Sequence, residues 1–375
     1  MYLRPARSYR RRGIWPWLVC LAISLVIGWW LYTNQTRIIT WVGITLPTPA
    51  PTEFPATEYL ARGDTALTLG KYDDAIASYQ RASELDPSLA TAYARLARIF
   101  ILRGQVQDAV RIARRAVELN SESAEAQTVL GLAQDWAAAP LDALTSCGRA
   151  MRLDDTYAPA YACMAEAYAD TGRGQDALLM GNKAIEIAPN DAFLQRSLAY
   201  VYEVSGKYDE AIAGYDKAVA LNPNIALFYL DLARNLRVQG DTEGAIQQLE
   251  LATRADPKDP QAFDQLGWIH YSGGAYDEAV TLLTKAIEIN PDYAPAHGHY
   301  GIVLFSRKFY EEAAVELEKA YELGARNEEY ILLLGLCYEY NDQCDKAIPW
   351  FQKELEINAN STIARQGLEI CQPNN

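Results

Sequence analysis

Apolar residues recur along most of this chain at intervals of three and four residues, and the same pattern restarts after every 34 residues. This spacing places apolar side chains on one face of an α-helix. Nine units follow one another without insertion or deletion over residues 56–361. A period of this length predicts a stack of small helical units, each of which buries its apolar face against its neighbours.

Alanine marks the second half of every unit. Position 20 is alanine in all nine, at Ala75, Ala109, Ala143, Ala177, Ala211, Ala245, Ala279, Ala313 and Ala347. Position 27 is alanine in eight units and Glu354 in the ninth. These positions lie seven residues apart on one helix face, so we expect helices to approach closely where only a methyl group fits. Larger residues at position 24 then fill the remaining space, for example Tyr79, Tyr215 and Phe351.

Glycine divides each unit into two helices. Position 15 is glycine in six units, and glycine is the usual residue just past a helix C-terminus. Proline at position 32 of five units ends the second helix. The third unit departs most, with Gln127, Gln134 and an early Pro140, so we expect an altered turn and weaker stacking there.

This pattern resembles the tetratricopeptide repeat family. The second unit carries the favoured residues at Tyr93, Leu96, Ala97, Phe100, Ala109 and Ala116, and the seventh at Phe263, Leu266, Gly267, Ala279, Ala286 and Pro291. The resemblance implies an all-α fold, a right-handed superhelical solenoid of antiparallel helix pairs. Residues 361–371 are predicted to form a capping helix over the last apolar face.

Residues 14–32 form an apolar segment, and no charged residue lies between Arg12 and Arg37. Nineteen helical residues span roughly 28 Å, close to the hydrocarbon thickness of a bilayer. The segment ends in WWLY rather than the small residues of a cleavage site, which favours an uncleaved transmembrane helix over a signal peptide.

The charges on either side of this segment predict its orientation. Residues 1–13 carry five arginines and are expected to form a basic cytoplasmic tail of a single-pass membrane protein. The repeats would then be extracytoplasmic, beyond a Pro/Thr-rich linker at 33–55. Some anchored members of this superfamily keep their repeats in the cytosol, which leaves that alternative open.

The net charge of −14 is unevenly distributed. Six arginines against Glu53 give residues 1–55 a charge of +5, so residues 56–375 carry −14 − 5 = −19. A segment as acidic as residues 56–375 repels the phosphate backbone of nucleic acids, so we expect no nucleic-acid partner.

The sequence offers little for catalysis. It has three histidines, and His297 and His299 are two residues apart, so on a helix they cannot share a metal ion. His270 falls at a packing position, and the carboxylates are expected on solvated faces. We therefore expect no enzyme activity, no metal and no cofactor.

The six cysteines show no metal-binding spacing. Cys344 and the capping-helix residue Cys371 are expected to meet, and they could form a disulfide if the body is extracytoplasmic. Cys147 and Cys163, on successive helices, are a weaker candidate.

The resemblance also implies that the first helices line a concave surface, with positions 2, 5, 6, 9, 12 and 13 facing it. The lysine and asparagine by which some family members grip a chaperone carboxylate are replaced by Leu60 and Asp64, which disfavours a chaperone adaptor. Cationic and aromatic residues concentrate in units five to eight, at Arg196, Tyr200, Arg234, Arg237, Trp268, Tyr271 and Phe305. They either bind an acidic or phosphorylated peptide or fill a narrow interior.

The sequence thus predicts a membrane-anchored scaffold or adaptor that binds a peptide or partner protein in this groove. The alternative is a module that binds a cell-envelope glycan or another non-protein ligand. A third reading, an enzyme whose catalytic part lies on a partner, finds no catalytic segment in the chain.

Overall fold

The computed structural model describes residues 15–33 and 54–372, and the chain divides into two units at residues 54 and 55. The first unit contains helix α1, Trp15–Thr33. Within the described residues, no helix has both the length and the apolarity needed to cross a membrane. The predicted tail 1–13, Ile14 of the predicted span and residues 34–53 lie outside the described residues.

In the second unit the described residues form helices and contain no strand. The helices are α2 Ala56–Thr68, α3 Tyr72–Leu85, α4 Ala90–Leu102, α5 Val106–Leu119, α6 Ala124–Trp136, α7 Pro140–Leu153, α8 Ala158–Asp170, α9 Gly174–Ile187, α10 Ala192–Val204, α11 Tyr208–Leu221, α12 Ala226–Val238, α13 Thr242–Ala255, α14 Pro260–Ser272, α15 Tyr276–Ile289, α16 Ala294–Ser306, α17 Tyr310–Glu322, α18 Glu328–Tyr340, α19 Cys344–Ile357 and α20 Thr362–Cys371.

These helices pair into nine hairpins, from α2–α3 to α18–α19, which we number repeats 1 to 9. The first helices begin at residues 56, 90, 124, 158, 192, 226, 260, 294 and 328, a constant 34-residue spacing. Each first helix packs on its own second helix, each second helix of repeats 1 to 8 packs on the first helix of the next repeat, and α20 packs on α18 and α19. The predicted all-α solenoid is confirmed.

All nine hairpin turns share one backbone conformation. Position 15 has a positive φ in every repeat, including the three that lack glycine: Ala138, Lys308 and Asp342. In the third repeat the amide of Ala139 donates to the carbonyl of Gln134 at 2.9 Å, as the amide of Lys71 donates to Ala66 at 2.9 Å in the first. The expectation of an altered turn in repeat 3 is therefore wrong. Pro140 fits because the first position of a helix needs no amide donor.

The alanines at position 20 are all completely buried, as are Tyr79, Tyr215 and Phe351 at position 24. The fit is close: a Cβ built on Gly335 would lie 2.5 Å from the ring of Phe351. Burying these methyl groups and rings together lets successive helices nest without voids.

Position 4 carries a recurring bond between repeats. Its side chain donates to the carbonyl six residues upstream, at 3.0 Å from Gln127 to Ser121 and 2.8 Å from Gln195 to Pro189. Tyr161 and Tyr229 make the same bond. Gln127, predicted from the sequence to be a departure, therefore conforms to the pattern in its hydrogen bonding.

Repeats distant in sequence also meet. The guanidinium of Arg103 lies 3.2 Å from the carboxylate of Asp256, and the side-chain amide of Asn224 donates to the Thr68 carbonyl at 3.1 Å. Repeats 1 and 2 thus contact the turns that follow α11 and α13. The solenoid therefore curves far enough for repeats 1 and 2 to touch repeats 5 and 6.

Candidate functional site

The centre of the concave surface is an ion-pair network around Arg196, on α10. Its guanidinium lies 2.8 Å from Glu166 of the preceding repeat and 2.8 Å from Asp231 of the following one. It also stacks on the rings of Trp136 and Tyr200, at 5.0 and 5.3 Å from their centroids. Arg196 is only 6% exposed. This predicted binding residue therefore connects three repeats, and its charge is already paired within the protein.

Arg234, on α12, extends the network. It bonds Glu203 at 2.7 Å and Asp231 at 2.7 Å, and Glu203 also accepts from the hydroxyl of Tyr215 at 2.6 Å. Burial alone would raise the pKa of Glu203, but Arg234 and Tyr215 outweigh it and hold that pKa below its usual range. Arg234 is therefore already paired. The basis for expecting an acidic or phosphorylated ligand is weakened accordingly.

A cleft of about 390 Å³ opens beside this network. We call it the carboxylate pocket, because five acidic side chains line it together with Trp136, Tyr200 and the two arginines: Asp135, Glu166, Asp170, Glu203 and Asp231. Glu166 and Asp231 are 2% and 1% exposed. The expectation that carboxylates lie on solvated faces is wrong here, because the paired arginines compensate their burial.

Asp135 differs from the other acids of the pocket. It is 5% exposed and its Oδ1 has no hydrogen-bond partner. Burial, reinforced by the charges of Glu166 and Asp170, raises the pKa of Asp135 to about 8. Asp170 accepts the phenol of Tyr200 at 2.5 Å.

Repeats 7 to 9 present a line of aromatic rings on first helices. We call it the aromatic strip: Trp268, Tyr271, His299, Phe305 and Tyr340. The rings of Trp268 and His299 stack at 4.3 Å, and Trp268 lies 5.0 Å from Tyr271. Phe305 and Tyr340 stack at 6.1 Å. Trp268, Tyr271 and Phe305 are half-buried, so part of each ring faces solvent.

A second cleft, of about 280 Å³, lies beside the strip and shares the lining residue Arg234 with the carboxylate pocket. Arg234, Arg237 and Trp268 line it together with Asp264 and His299. The predicted residues therefore form two groups. Arg196, Tyr200 and Arg234 lie in the carboxylate pocket, whereas Arg237, Trp268, Tyr271 and Phe305 lie on or beside the strip.

The prediction missed Asp231 and Asp264, which are 1% and 2% exposed. Asp231 balances two arginines, and Asp264 lies 2.7 Å from Nδ1 of His299. Both fall at repeat positions that the resemblance assigns to the concave surface, positions 6 and 5. Reading every charged residue at those positions, rather than arginines and aromatics first, would have found them.

His297 has a structural role, because both of its ring nitrogens lie within hydrogen-bond distance of other residues. Nε2 lies 2.9 Å from the carbonyl of Pro291 and Nδ1 lies 2.6 Å from Glu316. Among the described residues, no group of three or more histidine, cysteine, aspartate or glutamate side chains is placed to hold a metal ion.

The cysteine pairs proposed from the sequence lie together. The structure joins Cys344 to Cys371, with Cα atoms 5.0 Å apart, and Cys147 to Cys163, at 5.7 Å. The first pair links α19 to the C-terminal helix α20, and the second links α7 to α8.

Comparison with known proteins agrees with this architecture. Residues 60–124 and 196–260 match one tetratricopeptide repeat model, and residues 267–306 match a second TPR repeat model. The chain therefore contains tetratricopeptide repeats, as the sequence pattern predicted. Proteins with such repeats generally mediate protein–protein interactions. No curated protein matches the sequence.

Solved structures show the same fold at low sequence identity. The APC/C hetero-tetramer Cut9–Hcn1 aligns with a TM-score of 0.63 at 16% identity, over 84% of this chain but only 64% of that one. PilF of Pseudomonas aeruginosa aligns at 0.52 and 21% identity, over 57% of this chain and 96% of its own. A human IFIT1 dimer with PPP-AAAA aligns at 0.53 and 15% identity, over 80% and 83%.

Proposed function

We propose that this chain is a scaffold that binds a segment of another protein on its concave surface and catalyses no reaction itself. The observation that carries the proposal is the aromatic strip, in which Trp268, Tyr271 and Phe305 keep part of their rings open beside a cleft of about 280 Å³. Large rigid rings at the centre of a concave surface contribute strongly to binding at low entropic cost.

The pairing of Arg234 decides how the proposal is tested. Replacing Arg234 would remove one of the two cations that pair with the buried Asp231, and the loss of stability would obscure any loss of binding. Arg237 is exposed and makes a cleaner target together with Trp268 and Phe305. A triple alanine variant at these three residues should lose partner recovery in a pull-down while retaining its far-UV circular dichroism.

A matched control replaces three exposed residues of second helices by alanine: Arg111, Leu179 and Val315. Recovery of the partner by the control, but not by the strip variant, is the result expected. Equal recovery by both variants would refute binding at the strip. Recovery of a glycan instead of a protein would favour the alternative of a glycan-binding module, since stacked rings such as Trp268 and His299 also suit sugar faces.

We also propose that residues 14–32 anchor the chain in a membrane. The support is the uncharged sequence between Arg12 and Arg37, together with exposed apolar side chains on α1 such as Leu25 and Val26. Arginine in place of Ile23 and Val26 should release the protein from membranes under carbonate extraction, because charges at the centre of a span are costly. Arginine at the exposed Leu179 and Val315 should not.

The repeats are proposed to be extracytoplasmic. The paired Cys147–Cys163 and Cys344–Cys371 support this, since disulfides persist mainly in oxidising compartments. A proximity-labelling enzyme fused after Asn375 reports the side directly in intact cells. Labelling of cytoplasmic proteins, with free thiols at all four cysteines by mass spectrometry, would refute it.

A further inference from the structure

The carboxylate pocket carries more acid than its arginines neutralise. Five carboxylates and two guanidiniums line it, which leaves 5 − 2 = 3 carboxylates in excess. Arg196 forms ion pairs with Glu166 and Asp231, and Arg234 forms ion pairs with Glu203 and Asp231. No arginine bonds Asp135 or Asp170 among the contacts of the described residues. The carboxyl groups without an arginine partner therefore lie at the end of the pocket formed by α6 and α8.

Asp135 supplies an independent observation at that end. It is 5% exposed, lines the cleft, and its Oδ1 accepts no hydrogen bond. Buried polar atoms of native proteins nearly always have a partner, and an unpartnered acceptor on a buried side chain that lines a cleft points to a donor that enters from outside. The donor that best suits a carboxylate beside a second carboxylate is a cation with several N–H groups.

Organic cations fit this pocket better than a metal ion does. The described residues include no group of three or more side chains placed to ligate a metal. Lysine and arginine side chains, by contrast, carry three and five N–H donors at the end of a long stem that can reach into a cleft. The pocket and the cleft of Arg237 and Trp268 share the lining residue Arg234 and are therefore adjacent, so one bound segment could reach both.

We propose that the segment bound on the concave surface is basic, and that it inserts a lysine or arginine side chain between Asp135 and Asp170. The proposal rests on the scaffold function proposed above and specifies the chemistry of the partner. It reverses the charge expected from the sequence, where the arginines favoured an acidic ligand. Arg196 and Arg234 are neutralised by acidic side chains of the pocket itself. The two acids without an arginine partner, Asp135 and Asp170, determine which ligand the pocket binds.

The test uses the full chain in detergent and three fluorescein-labelled 12-residue peptides of alanine, leucine and glycine. The peptides differ only at three positions, which are lysine, glutamine or glutamate, and binding is followed by fluorescence anisotropy. The lysine peptide should bind about tenfold more tightly than the glutamine peptide, and the glutamate peptide most weakly.

Asp135→Asn should weaken binding of the lysine peptide about tenfold. Asp170→Asn provides a second variant, because an asparagine oxygen can still accept the Tyr200 phenol and preserve the fold. The control is Asp154→Asn, which makes the same substitution in an exposed turn where Asn120 and Asn222 already make the equivalent bonds. The control should bind as the wild type does.

Each other outcome overturns the proposal in a distinguishable way. Equal binding of all three peptides, or an unchanged affinity in both pocket variants, would refute the basic ligand and leave the scaffold function standing. Spermidine that displaces the lysine peptide and binds as tightly would show that the pocket takes a free polyamine. Failure of all three peptides to bind would count against both proposals.

Discussion

Lys308 in repeat 8 adopts the left-handed backbone conformation that Gly172 adopts in repeat 4, with φ of 65° and 75°. Residues with a Cβ pay roughly 1–2 kcal/mol for this conformation, whereas glycine does not. Lys308→Gly should therefore raise the free energy of unfolding by about 1 kcal/mol, and Gly172→Ala should lower it by a similar amount. Urea unfolding followed by circular dichroism measures both, and a loss of stability in Lys308→Gly would contradict the assignment.

The methyl-sized slot at position 20 is the packing feature on which the stack depends. Ala211 is completely buried, and leucine in its place should cost about 1–3 kcal/mol through overpacking. Ala213 lies on the same helix but is exposed, so Ala213→Leu is the matched control and should change stability little. Similar midpoints of urea unfolding for the two variants would mean that the slot at position 20 tolerates larger side chains.

Glu354 occupies the buried position that is alanine in the other eight repeats. It is completely inaccessible, and burial together with the neighbouring carboxylate of Glu328 raises its pKa, against the opposing effect of the Ser361 hydroxyl. Glu354→Ala should stabilise the protein by about 1–3 kcal/mol at pH 7, because it removes a carboxyl group that is buried beside a second carboxylate. Glu356→Ala, on an exposed site of the same helix, should have little effect, and destabilisation by Glu354→Ala would show that the carboxyl has a structural partner.

Arg196 and Arg237 should respond differently to the same substitution. Arg196→Met leaves the buried Glu166 and Asp231 without one of their cations and should cost about 3–5 kcal/mol. Arg237→Met, on the exposed side, should change stability by less than about 0.5 kcal/mol. Adding Glu166→Gln and Asp231→Asn to Arg196→Met should restore part of the loss, and a failure to do so would argue that Arg196 acts through packing alone.

Asp135 should make stability depend on pH. Its folded pKa of about 8 exceeds the unfolded value of about 3.9, so the folded state holds the proton over this range while the unfolded state releases it. Its destabilising contribution is therefore absent below about pH 4 and grows as pH rises to about 8, by at most about 1.4 kcal/mol per pH unit. Asp135→Asn should equal wild type at pH 4 and exceed it at pH 8, and a constant difference across this range would exclude the raised pKa.

Features that repeat every 34 residues could be predicted from the sequence, because the same physical demand recurs nine times. Ala75 and Ala347 illustrate this: both occupy the same buried slot, 272 residues apart. The altered turn predicted for repeat 3 from Gln127, Gln134 and Pro140 is wrong, because Ala138 adopts the same left-handed conformation as the glycines of the other repeats.

The concave surface could be predicted only in part. The 34-residue period identifies the positions that line the concave surface. It does not identify which charged residues at those positions pair with one another. Arg196 is neutralised by Glu166 and Asp231, which lie 30 and 35 residues away, and their approach depends on how neighbouring repeats are rotated. The contact between Arg103 and Asp256 depends on the superhelical pitch, which no local pattern specifies.

Site-specific photocrosslinking in intact cells tests most directly whether the concave surface is where partners bind. A benzophenone amino acid replaces Phe305 on the aromatic strip in one full-length variant and the exposed Leu179 of α9 in another. The account predicts a discrete crosslinked protein from position 305 that is absent from position 179. Crosslinks from position 179 alone would contradict it.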